Sequence, residues 1–308
     1  MTIRTRAAGV LAATAAVLAA LTASPALGGA PAAALDCNAA FDSLSALTSA
    51  VGTRSAGDTR TEGDTGSLIT EVPASGKGKG GKNFRATVPT WIHVITDGAT
   101  GNVTDEQIRQ QMWVFNAGFA GLEGGARTGF QFDLVGVTRT DNAAWYSAKI
   151  GTNGERAFKK ALRRGGAETL NVYVNAGGGA LGYAYYPGDY RERPYIDGIV
   201  LDWETLPGGP FGTTFSLGKT LTHEAGHWLN LAHTFDKGCS NYGDYVDDTP
   251  AQKSPTSGCP IGRDSCTNDP GLDPIHNYMD YSFDSCYFEF TPGQAARMQD
   301  AWLFFRAG

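Results

Sequence analysis

The sequence lacks several features that mark common functional classes. No block of lysine or arginine suggests a nucleic-acid-binding surface, and the 308-residue chain has a net charge of −6. Beyond the N-terminus no stretch is apolar enough to cross a membrane. None of the five cysteines forms a CxxC pair, which argues against a cysteine-ligated zinc site. We therefore expect no nucleic-acid partner and no membrane partner, and we expect a monomer.

The first 30 residues have the pattern of a signal peptide. MTIRTR supplies a basic start, an Ala-rich apolar run extends from Ala7 to Ala23, and small residues up to Ala30 suit a signal peptidase. The run is shorter than the roughly 20 apolar residues that a spanning helix needs. We expect a secreted, extracellular protein whose net charge changes from −6 to −8 when Arg4 and Arg6 are removed with the signal.

The remaining chain divides into two zones. Residues 31–83 are rich in Gly, Ser, Thr and Ala, which predicts a propeptide or linker that ends in the flexible, cleavable stretch Lys77–Lys82. From residue 84 to residue 308 strands alternate with helices, which indicates a mixed α/β sheet. The predicted strands are Ala86–Ile95, Gly129–Val137, Leu170–Asn175 and Asp197–Trp203, and the predicted helices include Glu155–Arg164 and two with capping boxes at Thr104–Gln107 and Thr291–Gln294.

One eleven-residue stretch, HEAGHWLNLAH, holds three of the five histidines. A helix is predicted from an N-cap at Ser216 to Asn230. His223 and His227 are four residues apart on it, so their rings project from one face and can bind one ion. Glu224 can approach that ion without ligating it, as in zinc hydrolases that use a glutamate as general base. The alternative is an ordinary helix with exposed histidines and no metal.

The third histidine of the stretch, His233, can join the same ion only if the chain turns sharply. A continued helix would carry it roughly 9 Å along the axis from His227. Asn230 stands where the turn is needed, and asparagine is the best non-glycine residue for the left-handed conformation that ends a helix. Three imidazoles with an open fourth position are typical of catalytic zinc, because structural zinc is closed by four protein ligands.

With these motifs the sequence resembles the metzincin metalloproteases. HEAGHWLNLAH fits their extended motif HExxHxxGxxH except that Asn230 replaces the glycine, and NYMDYS (Asn277–Ser282) is similar to their methionine turn. Within the clan the likeness is to the pappalysins, through HTF (His233–Phe235), DDTP (Asp247–Pro250) and NYMDYSFDSC leading to FTPGQAARM. The resemblance covers approximately Thr87–Phe305.

The resemblance implies an α+β fold with two lobes. A twisted mixed sheet would carry the zinc helix, and an irregular, disulfide-bonded C-terminal lobe would end in a helix. One catalytic zinc ion would be bound by the three clustered histidines, with Met279 beneath it and Glu224 as general base. Tyr281 would steady the tetrahedral intermediate, although a packed structural tyrosine explains it equally well. His93 and His276 have no spacing to the cluster and are interpreted as structural.

The cysteines suit an oxidising compartment. Four lie close together near the C-terminus and are expected to form two disulfides, for which the sequence alone allows three pairings. The resemblance to pappalysins selects Cys239–Cys266 and Cys259–Cys286. Cys37 is left over, and its thiolate could occupy the open position on zinc and keep a precursor latent. An intermolecular disulfide or a lipid anchor is the alternative role for Cys37.

Acidic residues are concentrated in the C-terminal lobe. Five aspartates could hold calcium, as in family members, although their irregular spacing suits solvated turns equally well: Asp244, Asp247, Asp248, Asp264 and Asp269. Three more acids are interpreted as exposed turn residues rather than determinants of substrate preference: Asp280, Asp284 and Glu289.

The combined prediction is a secreted zinc endopeptidase made as a zymogen, with peptides or proteins as substrates. The segment Gly177–Gly188 is expected to supply an edge strand to which an extended substrate adds. The alternative is a secreted, non-catalytic binding protein on a metzincin scaffold. Loss of Glu224 or of a clustered histidine would have indicated that alternative, and all four residues are intact.

Overall fold

The computed structural model describes Gly81, residues 83–240 and residues 243–307. The predicted signal peptide, most of the predicted propeptide and Cys37 lie outside these residues. The fold is α+β, built on a five-stranded sheet with the strand order β2-β1-β3-β5-β4. The strands are β1 (Ala86–Thr96), β2 (Phe130–Asp141), β3 (Leu170–Asn175), β4 (Gly182–Ala184) and β5 (Ile199–Asp202).

The sheet is mixed, as predicted. Neighbouring strands among β1, β2, β3 and β5 pair in parallel, whereas β4 pairs antiparallel with β5 and forms one edge. Both β3 and β5 are buried along their whole length, because packed elements cover both faces of a parallel sheet. The register within β1 shifts between Thr90 and Trp91, where β2 contains a bulge.

The described part of the chain contains five α-helices: α1 (Asp105–Phe119), α2 (Ala143–Tyr146), α3 (Asn153–Leu162), α4 (Lys219–Trp228) and α5 (Pro292–Ala301). Both predicted capping boxes are present, at Thr104 before α1 and at Thr291 before α5. A π-helical turn, Trp302–Arg306, follows α5. No helix within the described ranges is long and apolar enough to cross a bilayer.

Alternating side chains of the strands build two apolar cores, one on each face of the sheet. Ile92 and Val94 of β1 face the core shared with α1 and α4. Ile95 and Tyr173 face the opposite core, which α3 completes with Phe158. Helix α4 is therefore held against the sheet by burial of its apolar positions, and all ten of its residues are buried.

Helix α4 begins later than predicted, and the predicted N-cap at Ser216 is wrong. The N-cap is Gly218, with φ 85°, and it makes no side-chain capping bond. The Ser216 hydroxyl donates instead to the carbonyl of Glu204 at 2.7 Å. The Asp284 carboxylate accepts from the backbone N–H groups of Leu217 and Lys219, so a residue from the distant C-terminal lobe serves the start of the helix.

The chain between α4 and α5 is mostly irregular and carries both disulfides. Cys239 bonds to Cys266 and Cys259 bonds to Cys286, each with a Cα–Cα distance of 5.6 Å. This is the pairing that the family resemblance implies. Helix α5 then returns to the sheet, where Met298 and Trp302 enter the same core as α4. The C-terminal lobe is thus joined to the helix that bears the histidines.

Candidate metal centre

Helix α4 presents its two histidines as a pair on one face. The Nε2 atoms of His223 and His227 are 2.9 Å apart, and both side chains are buried. Because a residue four positions on lies one turn above, the two rings point to the same place. The spacing read from the sequence therefore brings two imidazole nitrogens together, as a shared metal ion would require.

A sharp turn follows α4 and brings the third histidine to this pair. Asn230 has φ 76°, in the left-handed region. The N–H of Asn230 donates to the carbonyl of His227 at 2.8 Å, and the N–H of Leu231 donates to that of Gly226 at 2.9 Å. These two bonds are those of a Schellman motif with asparagine in the usual glycine position. The Nε2 atom of His233 consequently lies 3.0 Å from that of His227.

The three imidazoles suit a metal ion chemically. The Nδ1 atom of His227 donates to the carbonyl of Leu231 at 2.7 Å, which directs the lone pair of Nε2 toward the other two rings. The ligand atoms of His223, His227 and His233 all lie within 4.8 Å of one another. Imidazole lone pairs that are brought this close repel each other, and a shared cation would remove that repulsion. Tetrahedral zinc places its nitrogen ligands about 3.3 Å apart, which is close to the 2.9 Å and 3.0 Å that separate Nε2 of His227 from Nε2 of His223 and of His233.

Glu224 lies beside this cluster and against the sheet edge. Its side chain is fully buried, in the turn of α4 between the two histidines. A Cβ atom built on Gly182 of β4 would lie 2.9 Å from Glu224 Oε1, so this strand passes directly over the carboxylate. Only a residue without a side chain leaves the carboxylate in its present position.

Two residues of the methionine turn lie against the histidine cluster and the helix that carries it. Met279 is fully buried, and its sulfur occupies the space that a Cβ on Gly226 would need, so it packs against α4 between the two histidines. The ring of Tyr281 lies 5.0 Å from that of His233, centroid to centroid. Phe235 stacks on His233 at 4.7 Å and also contacts Tyr281 at 4.9 Å.

Sequence reasoning missed one neighbour of the cluster. The hydroxyl of Tyr186 lies 3.2 Å from Nδ1 of His227, the atom that also bonds to Leu231. Tyr186 falls inside the segment singled out as a substrate-binding edge, but nothing in its local sequence separates it from Tyr183 and Tyr185. Those two tyrosines lie in the core on the other face of the sheet.

The other histidines lie elsewhere. His93 is buried between Thr138 and Asn171, at 2.8 Å and 3.0 Å. Burial lowers the pKa of His93 to about 4. The Nδ1 atom of His276 donates to the carbonyl of Cys286 at 2.8 Å.

Two of the acids interpreted as exposed, Asp280 and Asp284, are buried, so that interpretation is wrong for these two residues. Asp280 is fully buried and accepts from the backbone N–H groups of Thr256 and Tyr281. Asp284 is 2% exposed and bonds to the start of α4, as described above. An irregular lobe has many backbone N–H groups without a ladder partner, and these carboxylates satisfy some of them.

A helix-borne pair of histidines, a third histidine beyond a left-handed turn and a methionine packed beneath them define a metallopeptidase of the metzincin class. Known sequences identify the family. Residues 167–302 match the Peptidase_M43 family, described as pregnancy-associated plasma protein-A. An extracellular metalloprotease of Pyricularia oryzae is 47% identical over 247 residues, which cover 78% of this chain and 83% of the relative. One of Colletotrichum graminicola is 48% identical over 228 residues, covering 72% and 78%.

Solved structures agree with this assignment. Mature mirolysin of Tannerella forsythia, in complex with a cleaved peptide, is 30% identical with a TM-score of 0.60, covering 70% of this chain and 90% of that chain. A promirolysin mutant of the same organism is 27% identical with a TM-score of 0.63, covering 73% of this chain and 83% of that chain. The chain therefore belongs to the pappalysin family of metzincin metalloproteases, and it is a metalloendopeptidase with a catalytic metal.

Proposed function

We propose that this chain is a secreted zinc endopeptidase that is made as a zymogen. The observation that carries the proposal is the convergence of three histidine Nε2 atoms beside a buried glutamate. In this proposal residues 1–30 are a signal peptide, residues 31–83 are a propeptide or linker, and residues 84–308 are the catalytic domain. The relatives named extracellular metalloproteases support secretion and peptide or protein substrates.

His223, His227 and His233 would hold the ion. When bound there, zinc supplies Lewis acidity to a water molecule and to the scissile carbonyl. Glu224 accepts a proton from the attacking water and returns it to the departing amine. The phenol of Tyr281 donates a hydrogen bond to the oxygen on which negative charge develops, a role supported by its contact with His233.

Substrate orientation follows from the edge of the sheet. Strand β4 lies at one edge of the sheet, so it pairs with β5 on one side and, within the described residues, with no other strand of the sheet on the other side. An extended peptide that adds to the other side would gain main-chain hydrogen bonds. Because Gly182 of β4 lies against Glu224, a peptide bond held there would be close to the general base.

The proposal is tested by zinc analysis of the mature protein and digestion of a peptide library. We expect one zinc ion per chain and cleavage at internal peptide bonds. Glu224→Ala should retain zinc and lose about 10²–10⁴-fold in turnover, because general base catalysis is worth that much. Zinc binding without cleavage of any peptide would instead favour the non-catalytic binding protein.

Latency has its own test. In the proposed zymogen the Cys37 thiolate occupies the open zinc position until cleavage near Lys77–Lys82 removes it. Precursor that carries Cys37→Ser should be active without processing, whereas wild-type precursor should become active only after cleavage. A Cys37→Ser precursor that stays latent would refute this role.

We also propose a calcium site formed by a cluster of aspartates in the C-terminal lobe. Asp244, Asp247, Asp248 and Asp269 line one depression, and Asp264 is not among them. Burial raises the pKa of Asp244 to about 7, and a bound cation would offset that desolvation. Calcium should raise the melting temperature of the mature protein, and Asp244→Asn should abolish the increase. An equal increase in both proteins would argue against this site.

A further inference from the structure

The end of helix α4 carries backbone carbonyls that the helix itself cannot satisfy. The last carbonyls of any helix lack internal donors. The Schellman bonds use the carbonyls of Gly226 and His227. The carbonyls of Trp228 and Asn230 lie beyond these bonds, at the point where the chain reverses toward His233.

Two arginines from the C-terminal end of the chain supply the donors. Nε of Arg297, on α5, donates to the carbonyl of Asn230 at 2.8 Å. Nε of Arg306, in the π-helical turn, donates to the carbonyl of Trp228 at 3.1 Å. Their positive charges lie at the C-terminal end of α4, where the helix dipole favours cations.

Arg306 is fixed by its surroundings. It is 1% exposed, and its guanidinium lies 3.5 Å from the centroid of the Trp228 ring. It also pairs with the buried carboxylate of Asp197 at 3.1 Å, and the same carboxylate accepts from Nε1 of Trp228. The last helical residue of α4 is thus held by its ring and by its carbonyl.

Arg297 acts on the reversal itself. The carbonyl of Asn230 belongs to the left-handed residue, and only Leu231 and Ala232 separate that residue from His233. Both are buried, and the carbonyl of Leu231 accepts from His227. A shift of the Asn230 carbonyl would therefore move the path to the third histidine relative to the second.

We propose that Arg297 is a positioning residue of the metal centre, which holds His233 in place through the carbonyl of Asn230. The proposal rests on the three-histidine zinc site proposed above. It gives α5 a role in metal affinity, although no residue of that helix is among the three ligands. The competing explanation is a purely structural one, because the Arg297 guanidinium also lies 5.5 Å from the centroid of the Tyr245 ring.

The test compares zinc affinity with stability in the mature protein. The zinc dissociation constant is measured by competition with a chromophoric chelator, and the melting temperature of the metal-free protein is measured alongside. Arg297→Met should raise the dissociation constant about 10–100-fold, as expected for loss of a partner that orients a ligand. Arg297→Lys keeps the positive charge but lacks the guanidinium that bonds to the Asn230 carbonyl, so it should also weaken zinc binding. The lysine variant replaces the methionine variant in the test if Arg297→Met does not fold.

Arg109→Met is the matched control. Arg109 lies on α1 in an exposed ion pair with Glu106. The Arg109→Met variant should bind zinc as tightly as the wild-type protein. If the folded Arg297 variants melt earlier when metal-free yet bind zinc within twofold of wild type, the role is structural and the proposal is overturned. If His233→Ala also binds zinc like wild type, the three-histidine site itself is refuted, and the positioning proposal fails with it.

Discussion

Gly182→Ala should damage catalysis while sparing the fold and the metal. The added methyl would lie 2.9 Å from Glu224 Oε1 and 2.9 Å from the Thr220 methyl group, closer than such atoms normally approach. The carboxylate is the far end of a flexible side chain, so a small movement can relieve the contact without a shift of the backbone. Relief of the contact needs a movement of about 0.5 Å, and a misplacement of 1 Å can reduce turnover about 10²-fold. We therefore expect kcat to fall about tenfold, or about 1.4 kcal/mol in activation free energy.

The assay combines steady-state kinetics on one peptide with zinc affinity and melting temperature. Gly182→Ala should keep the wild-type zinc dissociation constant, because the metal ligands are not contacted. In a Glu224→Ala background the same substitution should cost no further activity, since the displaced carboxylate is already absent. Wild-type kcat in Gly182→Ala would refute the placement of Glu224 against β4. A tenfold loss that persists in the Glu224→Ala background would refute the stated cause.

Three further predictions concern the turn, the core and pH. Asn230→Gly should leave zinc affinity nearly unchanged, whereas Asn230→Val should weaken it strongly, because a β-branched residue is strained at positive φ. Equal zinc dissociation constants for the two variants, measured by competition with a chromophoric chelator, would contradict this. Arg306→Met should lower the free energy of unfolding in urea by about 3–5 kcal/mol, since Asp197 loses its buried cation; a loss below about 1 kcal/mol would contradict it. Because the folded-state pKa of His93 is lowered from 6.5 to about 4, the unfolded chain binds a proton first as pH falls through 6.5, and stability should fall toward pH 4. His93→Gln should lose less stability between pH 7 and pH 5 than wild type, and an equal loss would contradict the assignment.

Local patterns predicted the elements that local chemistry determines. Strand β3 matches the predicted segment Leu170–Asn175 because a β-branched, apolar run is bounded by polar residues. The capping boxes at Thr104 and Thr291 begin their helices because the side-chain bonds span only three residues. The histidine pair is likewise a consequence of helical spacing.

Features that depend on distant contacts were not predictable from sequence. Ser216 was a reasonable N-cap by residue type, but the carboxylate that serves the start of α4 comes from Asp284, 67 residues from Leu217. The closeness of Gly182 to Glu224 depends on how β4 packs beside α4. The bond from Arg297 to Asn230 likewise joins residues 67 positions apart. In each case the local sequence is compatible with several tertiary partners.

Anomalous diffraction at the zinc absorption edge tests the central claim most directly. Crystals of the mature, zinc-loaded protein should show one strong peak within bonding distance, about 2.0–2.1 Å, of the Nε2 atoms of His223, His227 and His233. Crystals of His233→Ala, grown in the same zinc concentration, should show a much weaker peak at that position. A peak that is bound by only two of these histidines, or that lies elsewhere in the protein, would contradict the three-histidine zinc site.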